Sequence, residues 1–577
     1  MTVTPPRTAR APGHGTDGTA VPAARAAAQA VDSTGTTAAT RKFIAKATLI
    51  TASLSVAGAL LGLVRDQTLA RLFGAGSETD AFLVAWTVPE FASTLLIEDG
   101  LAIALIPAFS FALVRRAQGA CGDPVRSLVA STLPRLSLCF VAVSALVIGA
   151  APYLVDALAP GLADPRLATD CTRLTATCVL SFGLAGFCSA ALRAHRRYLA
   201  PATIYVAYNV GIIATMFLLG GRYGARSAAA GVAVGGCLMV AAQLPSMWRH
   251  LRSHPSTAGG DGIEPPPKNL ALISTVLLFA LCRQSQVLIE RFLASPLPPG
   301  AISHLNYAQK VAQIPMTLSL MLCTVTFPVV AQALADGDTE RARTRVERDL
   351  VLASCLVLVG AATVVACAPQ IIAILFQRGA FTAQDTEVAA GVMRVYALGL
   401  LSQTLVGVLI RSYFSAGRPT WYPTGAMAAG VGATFWIGEA TVNSWGVSGI
   451  AAANAVGITV TAALLLLGPP RRPKGRVGGR GLPGPAALYG SSRGVPIRTR
   501  QVLSELSRPA LAAGVAAAAG AFAAGGPQSQ VAGLAVGCVT VAAVFLVLGR
   551  VVGAQGCTFA FRSVRTVTQR LRHGGSS

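Results

Sequence analysis

Long apolar segments recur along most of the chain and are separated by short polar stretches. An α-helix needs about 20 apolar residues to cross a bilayer core, and that length predicts about fourteen spans in this sequence. The predicted spans are 43–64, 81–112, 127–155, 171–193, 199–220, 224–247, 268–295, 302–334, 350–376, 387–415, 420–440, 446–468, 508–525 and 529–552. The pattern therefore predicts an all-α integral membrane protein.

The basic residues between the spans predict the orientation of the protein. Arginines cluster after the even-numbered spans, whereas the loops after the odd-numbered spans are poor in charge or mixed in sign. The clusters are Arg115 and Arg116; Arg193, Arg196 and Arg197; Arg249 and Arg252; and Arg341, Arg343, Arg345 and Arg348. Because cytoplasmic loops are enriched in Lys and Arg, we expect a multi-pass protein with both termini in the cytoplasm.

The composition supports a membrane protein and argues against nucleic acid binding. Hydrophobic residues make up 53% of the 577 positions and charged residues 12%, which is too apolar for one soluble core. The net charge of +23 would suggest a nucleic-acid partner in a soluble protein. Here the basic residues lie mainly in tails and short loops, so membrane orientation explains the charge and no nucleic-acid partner is expected.

The spans and loops divide the chain into segments. They are a disordered basic cytoplasmic tail at 1–42, a first helical bundle at 43–247, a cytoplasmic linker at 248–267, a second helical bundle at 268–468, a basic Pro/Gly-rich cytoplasmic loop at 469–507, C-terminal helices at 508–552 and a basic cytoplasmic tail at 553–577. The basic loop is interpreted as lying next to anionic lipid, with docking of a partner protein as the alternative.

No sequence motif indicates an enzyme. The chain contains no nucleotide-binding loop, kinase signature, serine-hydrolase elbow or zinc-protease motif, and no soluble stretch is long enough for a catalytic domain. The 12 cysteines are scattered singly, and several of the 6 histidines lie in loops and tails. We therefore expect a non-enzyme with no cofactor and no metal site.

Several ionisable or polar residues lie within or beside the apolar spans, where an unpaired charge is costly. Arg283, Gln286 and Glu290 fall at i, i+3 and i+7 and form one polar stripe on the seventh span. The full set of candidates is Arg65, Asp66, Arg71, Asp80 and Glu98 in the first half, and Arg283, Gln286, Glu290, Lys310 and Arg411 in the second. Cations with a few carboxylates around a water-filled cavity suit an amphiphile with an anionic head such as pyrophosphate, which arginine binds through two hydrogen bonds.

Each candidate also has a structural interpretation. Asp80 could cap the second helix, and Arg411 is favoured to face cytoplasmic phospholipid. Glu98 and the polar stripe of the seventh span could form structural ion pairs, and Lys310 is balanced between the two interpretations.

Five motifs occur in a recognisable order. They are RDQTLARLFGAGSETDAFLVAWTVP, EDGLAIALIP, LASPLPPGAISHLNYAQKVAQIP, LFQRGAFTAQDTEVAAGVMRVYALGL and RSYFSAGRPTWYP. Over about 43–468 the chain resembles the MurJ/MviN family of lipid II flippases, whose superfamily includes drug and polysaccharide exporters. The resemblance implies two pseudo-symmetric bundles around a central cavity, two additional C-terminal helices, and alternating access that carries lipid II from the inner to the outer leaflet of the bacterial cytoplasmic membrane.

The resemblance also assigns partners and site residues. The expected partners are lipid II, the lipid bilayer and, as candidates only, proteins of cell-wall synthesis. Arg65, Arg71 and Lys310 match family cations expected to contact the head group or its pyrophosphate. The carboxylates expected to organise these cations are Asp66, Asp80 and Glu98.

The chain departs from the family pattern at several positions. Ala59, Ser93 and Thr94 stand where family members often carry arginines, and Lys310 keeps the charge of an arginine but lacks its planar fork. The sodium ligands of some members are not recoverable, so coupling to the membrane potential, to another ion or to neither stays open. The alternatives are a paralogue that exports another polyprenyl-linked glycan or amphiphile, and a non-transporting scaffold for cell-wall proteins.

Overall fold

A computed structural model describes residues 50–98, 100–118, 123–252, 270–324, 330, 332–334, 336–414, 420–468, 495 and 497–553. The predicted N-terminal tail at 1–42 lies outside the described residues. So do most of the predicted linker at 248–267, of the basic loop at 469–507 and of the C-terminal tail at 553–577.

The described residues form helices and contain no strand. The helices of the first half are α1 (50–73), α2 (Ser77–Ala85), α3 (Thr87–Ala92), a π-helical turn (Ser93–Glu98), α4 (Gly100–Ala117), α5 (Pro124–Leu158), α6 (Pro165–Ala176), α7 (Cys178–Ala194), α8 (Leu199–Tyr223) and α9 (Arg226–Arg252). The remaining helices are α10 (Leu270–Ala294), α11 (Ala301–Ala312), α12 (Ile314–Thr324), α13 (Thr339–Phe376), α14 (Ala383–Phe414), α15 (Tyr422–Leu467), α16 (Thr499–Ala524) and α17 (Gln530–Val551).

Within the described part of the chain, 10 helical segments are long and apolar enough to cross a membrane. The predicted count of fourteen therefore stays a prediction. The predicted spans 420–440 and 446–468 fall on the single helix α15, which is interrupted at Gly446, where φ is 54°. Large apolar side chains face outward, including Leu398 at 72% exposure and Phe522 at 90%, as expected for a surface in contact with hydrocarbon.

The first helix ends later than the sequence predicted. The predicted span stops at residue 64, whereas α1 continues to residue 73 and ends at Gly74, whose φ of 67° suits a left-handed turn. The Thr79 hydroxyl donates a hydrogen bond to the Gly74 carbonyl at 2.9 Å. Arg65 and Asp66 consequently lie inside the helix, with Arg65 about 12 Å along the helix axis from its end. The charged positions ended the prediction early because Asn209 and Lys310, which bind Arg65 and Asp66, are distant in sequence.

One hydrophobic core extends through both halves of the molecule. Leu83 and Ile212 from the first half share it with Leu293, Leu305 and Leu400 from the second, and all five are at most 3% exposed. The C-terminal helices α16 and α17 pack together on α13. They form a small core there.

The two halves meet at the end of the molecule that the loop charges assign to the outer face. The Ala380 amide donates to the Arg71 carbonyl at 3.0 Å, and the Gly161 amide donates to the Ser295 hydroxyl at 3.3 Å. Gly379 has a φ of 68°, and a Cβ atom there would collide with the Arg71 carbonyl oxygen. A glycine is required because the two backbones approach each other directly.

We expect Gly379→Ala to loosen this outer contact. An alanine at this position has to adopt a backbone conformation that is unfavourable for residues with a Cβ atom, and its Cβ atom has to displace the Arg71 carbonyl. Together these effects should lower the free energy of unfolding by about 1 kcal/mol or more. The measurement is the thermal unfolding midpoint of the purified protein in detergent. Gly391→Ala is the matched control, because nothing lies within 4 Å of its Cβ position and it sits inside helix α14. An equal or higher midpoint for Gly379→Ala than for Gly391→Ala would contradict the prediction.

Candidate functional site

Arg65 and Asp66 form the first part of a charged cluster inside the membrane-spanning region. The Arg65 guanidinium donates from Nε and Nη2 to Asp66 Oδ1, at 3.0 and 2.8 Å. Its third nitrogen, Nη1, donates to Asn209 Oδ1 on α8 at 3.2 Å. The Asn209 amide in turn donates to the carbonyls of Gly58 and Tyr205, so the partner of Arg65 is itself fixed.

Lys310 on α11 brings the second half into the same cluster. Its ammonium lies 3.1 Å from Asp66 Oδ2, so one carboxylate holds a cation from each half. Both cations also lie over the Trp86 ring, with the Arg65 guanidinium carbon 4.3 Å and the Lys310 ammonium 5.7 Å from the ring centre. The side chain of Lys310 is 30% exposed and that of Asp66 is 7% exposed. Of Arg65, Asp66 and Lys310, the lysine is therefore the most accessible to a ligand.

A second ion pair joins the halves one helical turn away from Trp86. Arg291 Nη2 on α10 lies 2.9 Å from Glu90 Oε2 on α3, and Arg291 Nη1 donates to the Thr87 hydroxyl. The Arg291 side chain is 6% exposed and that of Glu90 is 30% exposed. This pair places a further carboxylate at the margin of the charged cluster.

Asp80 does not belong to the cluster. It lies 4% exposed in α2 and accepts hydrogen bonds from the backbone amides of Gly300, at 2.6 Å, and Ser303, at 2.8 Å, and from the Ser303 hydroxyl. These amides open helix α11, so Asp80 caps a helix of the opposite half. The alternative that Asp80 caps its own helix is wrong, because α2 begins after Gly76 with no side-chain cap.

The other candidates of the first half are separated from the cluster. The Arg71 side chain is exposed near the outer end of α1, while its carbonyl makes the contact with Ala380. Glu98 is also exposed and accepts a hydrogen bond from the Tyr205 hydroxyl at 3.0 Å.

The polar stripe of the seventh span divides between two environments. Arg283 is exposed, whereas Gln286 and Glu290 are 8% and 4% exposed. Glu290 accepts a hydrogen bond from the Asn454 side-chain amide and a long one, at 3.5 Å, from Gln309. The C-terminal end of the stripe is therefore buried in the interior of the second half.

Arg411 binds protein backbone. Its Nη1 donates to the Leu320 carbonyl on α12 at 3.1 Å, and the side chain is half-buried. This contact joins α14 to α12 and gives the arginine a partner within the second half.

Sequence analysis missed four residues of the cluster: Trp86, Glu90, Asn209 and Arg291. Trp86 and Glu90 are spaced i and i+4, which places them on one helical face beside a polar motif, and this signal could have found them. Asn209 lies in a long apolar segment and gave no comparable signal, whereas Arg291 is a charged residue inside the seventh predicted span, next to Glu290, and the cost of burying a charge could have found it. Their roles depend on partners that are more than 100 residues away in sequence.

Comparison with known proteins gives consistent matches. The sequence model described as lipid II flippase MurJ matches residues 69–479. The lipid II flippase MurJ of Burkholderia cenocepacia is 26% identical over 390 residues, covering 64% of this chain and 73% of that protein. The probable lipid II flippase MurJ of Thermotoga maritima is 29% identical over 364 residues, covering 62% of this chain and 71% of that protein.

Solved structures show the same fold at lower sequence identity. A lipid II flippase MurJ in an inward closed conformation matches with a TM-score of 0.66 and 18% identity, covering 87% of this chain and 98% of that chain. An inward-facing MATE family multidrug transporter matches with a TM-score of 0.58 and 14% identity, covering 73% of this chain and 96% of that chain. The architecture of two helical halves is therefore shared with both kinds of transporter.

We expect Asp66→Asn to destabilise the protein, because it removes the carboxylate that Arg65 and Lys310 share. The expected loss of unfolding free energy is on the order of 2 kcal/mol, at the low end for a buried ion pair because Lys310 is partly exposed. Thermal unfolding in detergent measures the effect.

The matched control is Asp170→Asn, which breaks an exposed pair with Arg226 whose side chains are 43% and 47% exposed. That change should cost less than about 1 kcal/mol. Equal shifts for the two variants would show that Asp66 does not organise the cluster.

Proposed function

We propose that this chain, which belongs to the MurJ family of lipid II flippases, moves lipid II from the inner to the outer leaflet of the cytoplasmic membrane by alternating access. The observation that carries the proposal is the cluster in which Arg65 of the first half and Lys310 of the second half share Asp66. The family match favours lipid II over a non-transporting scaffold. It also favours lipid II over another polyprenyl-linked glycan, the alternative suggested by Ala59, Ser93 and Thr94 in place of family arginines.

The charges of the cluster suit the pyrophosphate of lipid II. In the structure Asp66 is paired with both Arg65 and Lys310. An anionic head group competes with Asp66 for the hydrogen-bond donors of these two cations. Phosphate oxygens bind the fork of Arg65 through two hydrogen bonds, while Lys310 contributes a point charge. Because the side chains of Arg65 and Asp66 are only 12% and 7% exposed, contacts at this position are stronger than they would be on an exposed surface.

Binding at this cluster is coupled to the contact between the halves. A pyrophosphate that draws Lys310 away from Asp66 removes one of the links that join α11 to α1. Asp80, which caps α11 from α2, holds the same helix at the outer end. For the protein to open outward, the Lys310–Asp66 contact and the Asp80 cap must both break. A head group that binds the cations in place of Asp66 lowers the stability of the closed state, and its differential affinity for the two states sets the size of this effect.

The position of the contact between the two halves fits a cavity that the substrate enters from the cytoplasmic side. The halves are joined at the end that the loop charges assign to the outer face, and α1 carries Arg65 inward from that end. We place the protein in the bacterial inner membrane with both termini in the cytoplasm. No covalent bond of the substrate changes during flipping, so the protein acts as a transporter.

The test is complementation of a strain depleted of its own lipid II flippase, with lipid II accessibility on the outer face as the readout. We expect the wild-type protein to restore growth and accessibility. Arg65→Ala should reduce the outer-face signal about tenfold or more, because a hydrogen-bonded charge is worth about 1.5–3 kcal/mol.

Arg226→Ala is the matched control, since it removes an arginine from an exposed ion pair outside the cluster. It should restore growth as the wild type does. Equal membrane levels of all three proteins must be verified by immunoblot. Full rescue by Arg65→Ala would contradict the proposed function of the cluster, and failure of a correctly inserted wild type would contradict lipid II as the cargo.

A further inference from the structure

Glu98 lies in a second polar group that the charged cluster does not include. It ends the π-helical turn, a feature that is rare in proteins and frequent at functional sites. The Tyr205 hydroxyl donates to Glu98 Oε1 at 3.0 Å, and the Ser93 hydroxyl donates to the same oxygen at 3.3 Å. The two hydroxyl groups are 3.4 Å apart. The three side chains therefore form one connected hydrogen-bonding group, named here the Glu98 triad.

The π-helical turn is held in place by backbone contacts. The Leu96 carbonyl lies directly against Gly186 of α7, where any Cβ atom would collide with it. Within the same helical stretch, the Thr94 hydroxyl donates to the Glu90 carbonyl at 3.2 Å. The contact between Leu96 and Gly186 seats the turn that carries Glu98 against α7.

The carboxylate of Glu98 is left uncompensated by the described part of the chain. Both hydroxyl donors of the triad use Oε1, and neither a donor to Oε2 nor a cation within 4.0 Å occurs among the described residues. The residue is nevertheless exposed within a segment of membrane-spanning length. A carboxylate cannot face hydrocarbon at such a position, so it faces water-accessible space and is available to a ligand.

Helix α8 places the triad at a defined distance from the charged cluster. Tyr205 and Asn209 are one helical turn apart on α8, which corresponds to about 6 Å along the helix axis. Asn209 binds Arg65 and Tyr205 binds Glu98. The site thus presents cations and an unpaired anion side by side, with Glu98 nearer the cytoplasmic end of α8.

We propose that the Glu98 triad is a subsite for a primary ammonium group on the polar head of the cargo. An ammonium group donates three hydrogen bonds and neutralises a carboxylate, which matches the open oxygen and the unpaired charge of Glu98. The proposal rests on the proposed function and narrows the substrate to a lipid-linked head group that carries pyrophosphate and a free amine. A peptide containing lysine supplies such an amine.

The experiment measures binding of two lipids to the purified full-length protein in lipid nanodiscs. One is lipid II with lysine in its peptide, and the other is the same lipid with the lysine Nε acetylated. We expect the wild type to bind the free amine about tenfold more tightly, in line with a hydrogen-bonded charge contact. Glu98→Gln should bind both lipids with the weaker affinity, and its retained binding of the acetylated lipid shows that the variant is folded.

Two further variants sharpen the result. Tyr205→Phe removes one hydroxyl that orients Glu98 and should reduce the preference for the free amine without abolishing it. Glu387→Gln makes the same chemical change as Glu98→Gln at an exposed position on α14 and should keep the full preference.

The outcomes separate this proposal from the function on which it rests. Equal binding of both lipids by the wild type, or an unchanged preference in Glu98→Gln, would overturn the ammonium subsite and leave lipid II flipping intact. Binding of neither lipid by the wild type would overturn lipid II as the cargo and the subsite with it.

Discussion

A charge inside a membrane needs a partner, and in this protein the central partner is Asp66. One buried carboxylate neutralises Arg65 from the first half and Lys310 from the second, and Trp86 lies beneath both cations. Burial of such a group is favourable only while both partners are present. The arrangement of α1 against α11 therefore depends on an interaction that an anionic ligand can replace. The same requirement explains how two helical halves can pack closely and still separate during transport.

The remaining inter-half contacts divide into those that join backbones and those that join side chains. Near the C-terminal end of α1, Gly379 lies against the Arg71 carbonyl and Asp80 caps α11, and both contacts have strict geometric requirements. Deeper in the molecule, Arg291 joins α10 to α3 through its ion pair with Glu90 and a hydrogen bond to the Thr87 hydroxyl. The C-terminal helices pack mainly on α13, so within the described part of the chain their main contacts lie in one half.

Much of the fold followed from the sequence because membrane-spanning helices leave long apolar segments. The all-α membrane class is confirmed, as is the family resemblance, which rested on ordered motifs. Helix ends were less predictable: charge at Arg65 suggested an end to the first span, yet α1 continues because Asp66 and Asn209 satisfy that arginine. In the structure Arg65, Asp66 and Lys310 meet, whereas Asp80 caps α11 and Glu98 lies in the Glu98 triad, and the role of these residues in substrate binding stays a prediction. Partners such as Asn209 could not be found, because tertiary pairing leaves no local pattern.

The most direct test of the central claim is a double-mutant cycle on lipid II affinity with Arg65→Ala, Lys310→Ala and the combined variant. If both cations bind one pyrophosphate and share Asp66, the effects of the two substitutions are coupled. The loss of binding free energy in the combined variant then differs from the sum of the losses in the single variants by about 0.5 kcal/mol or more. Unchanged affinity in all three variants, or strictly additive losses, would contradict the account of one shared site between the two halves.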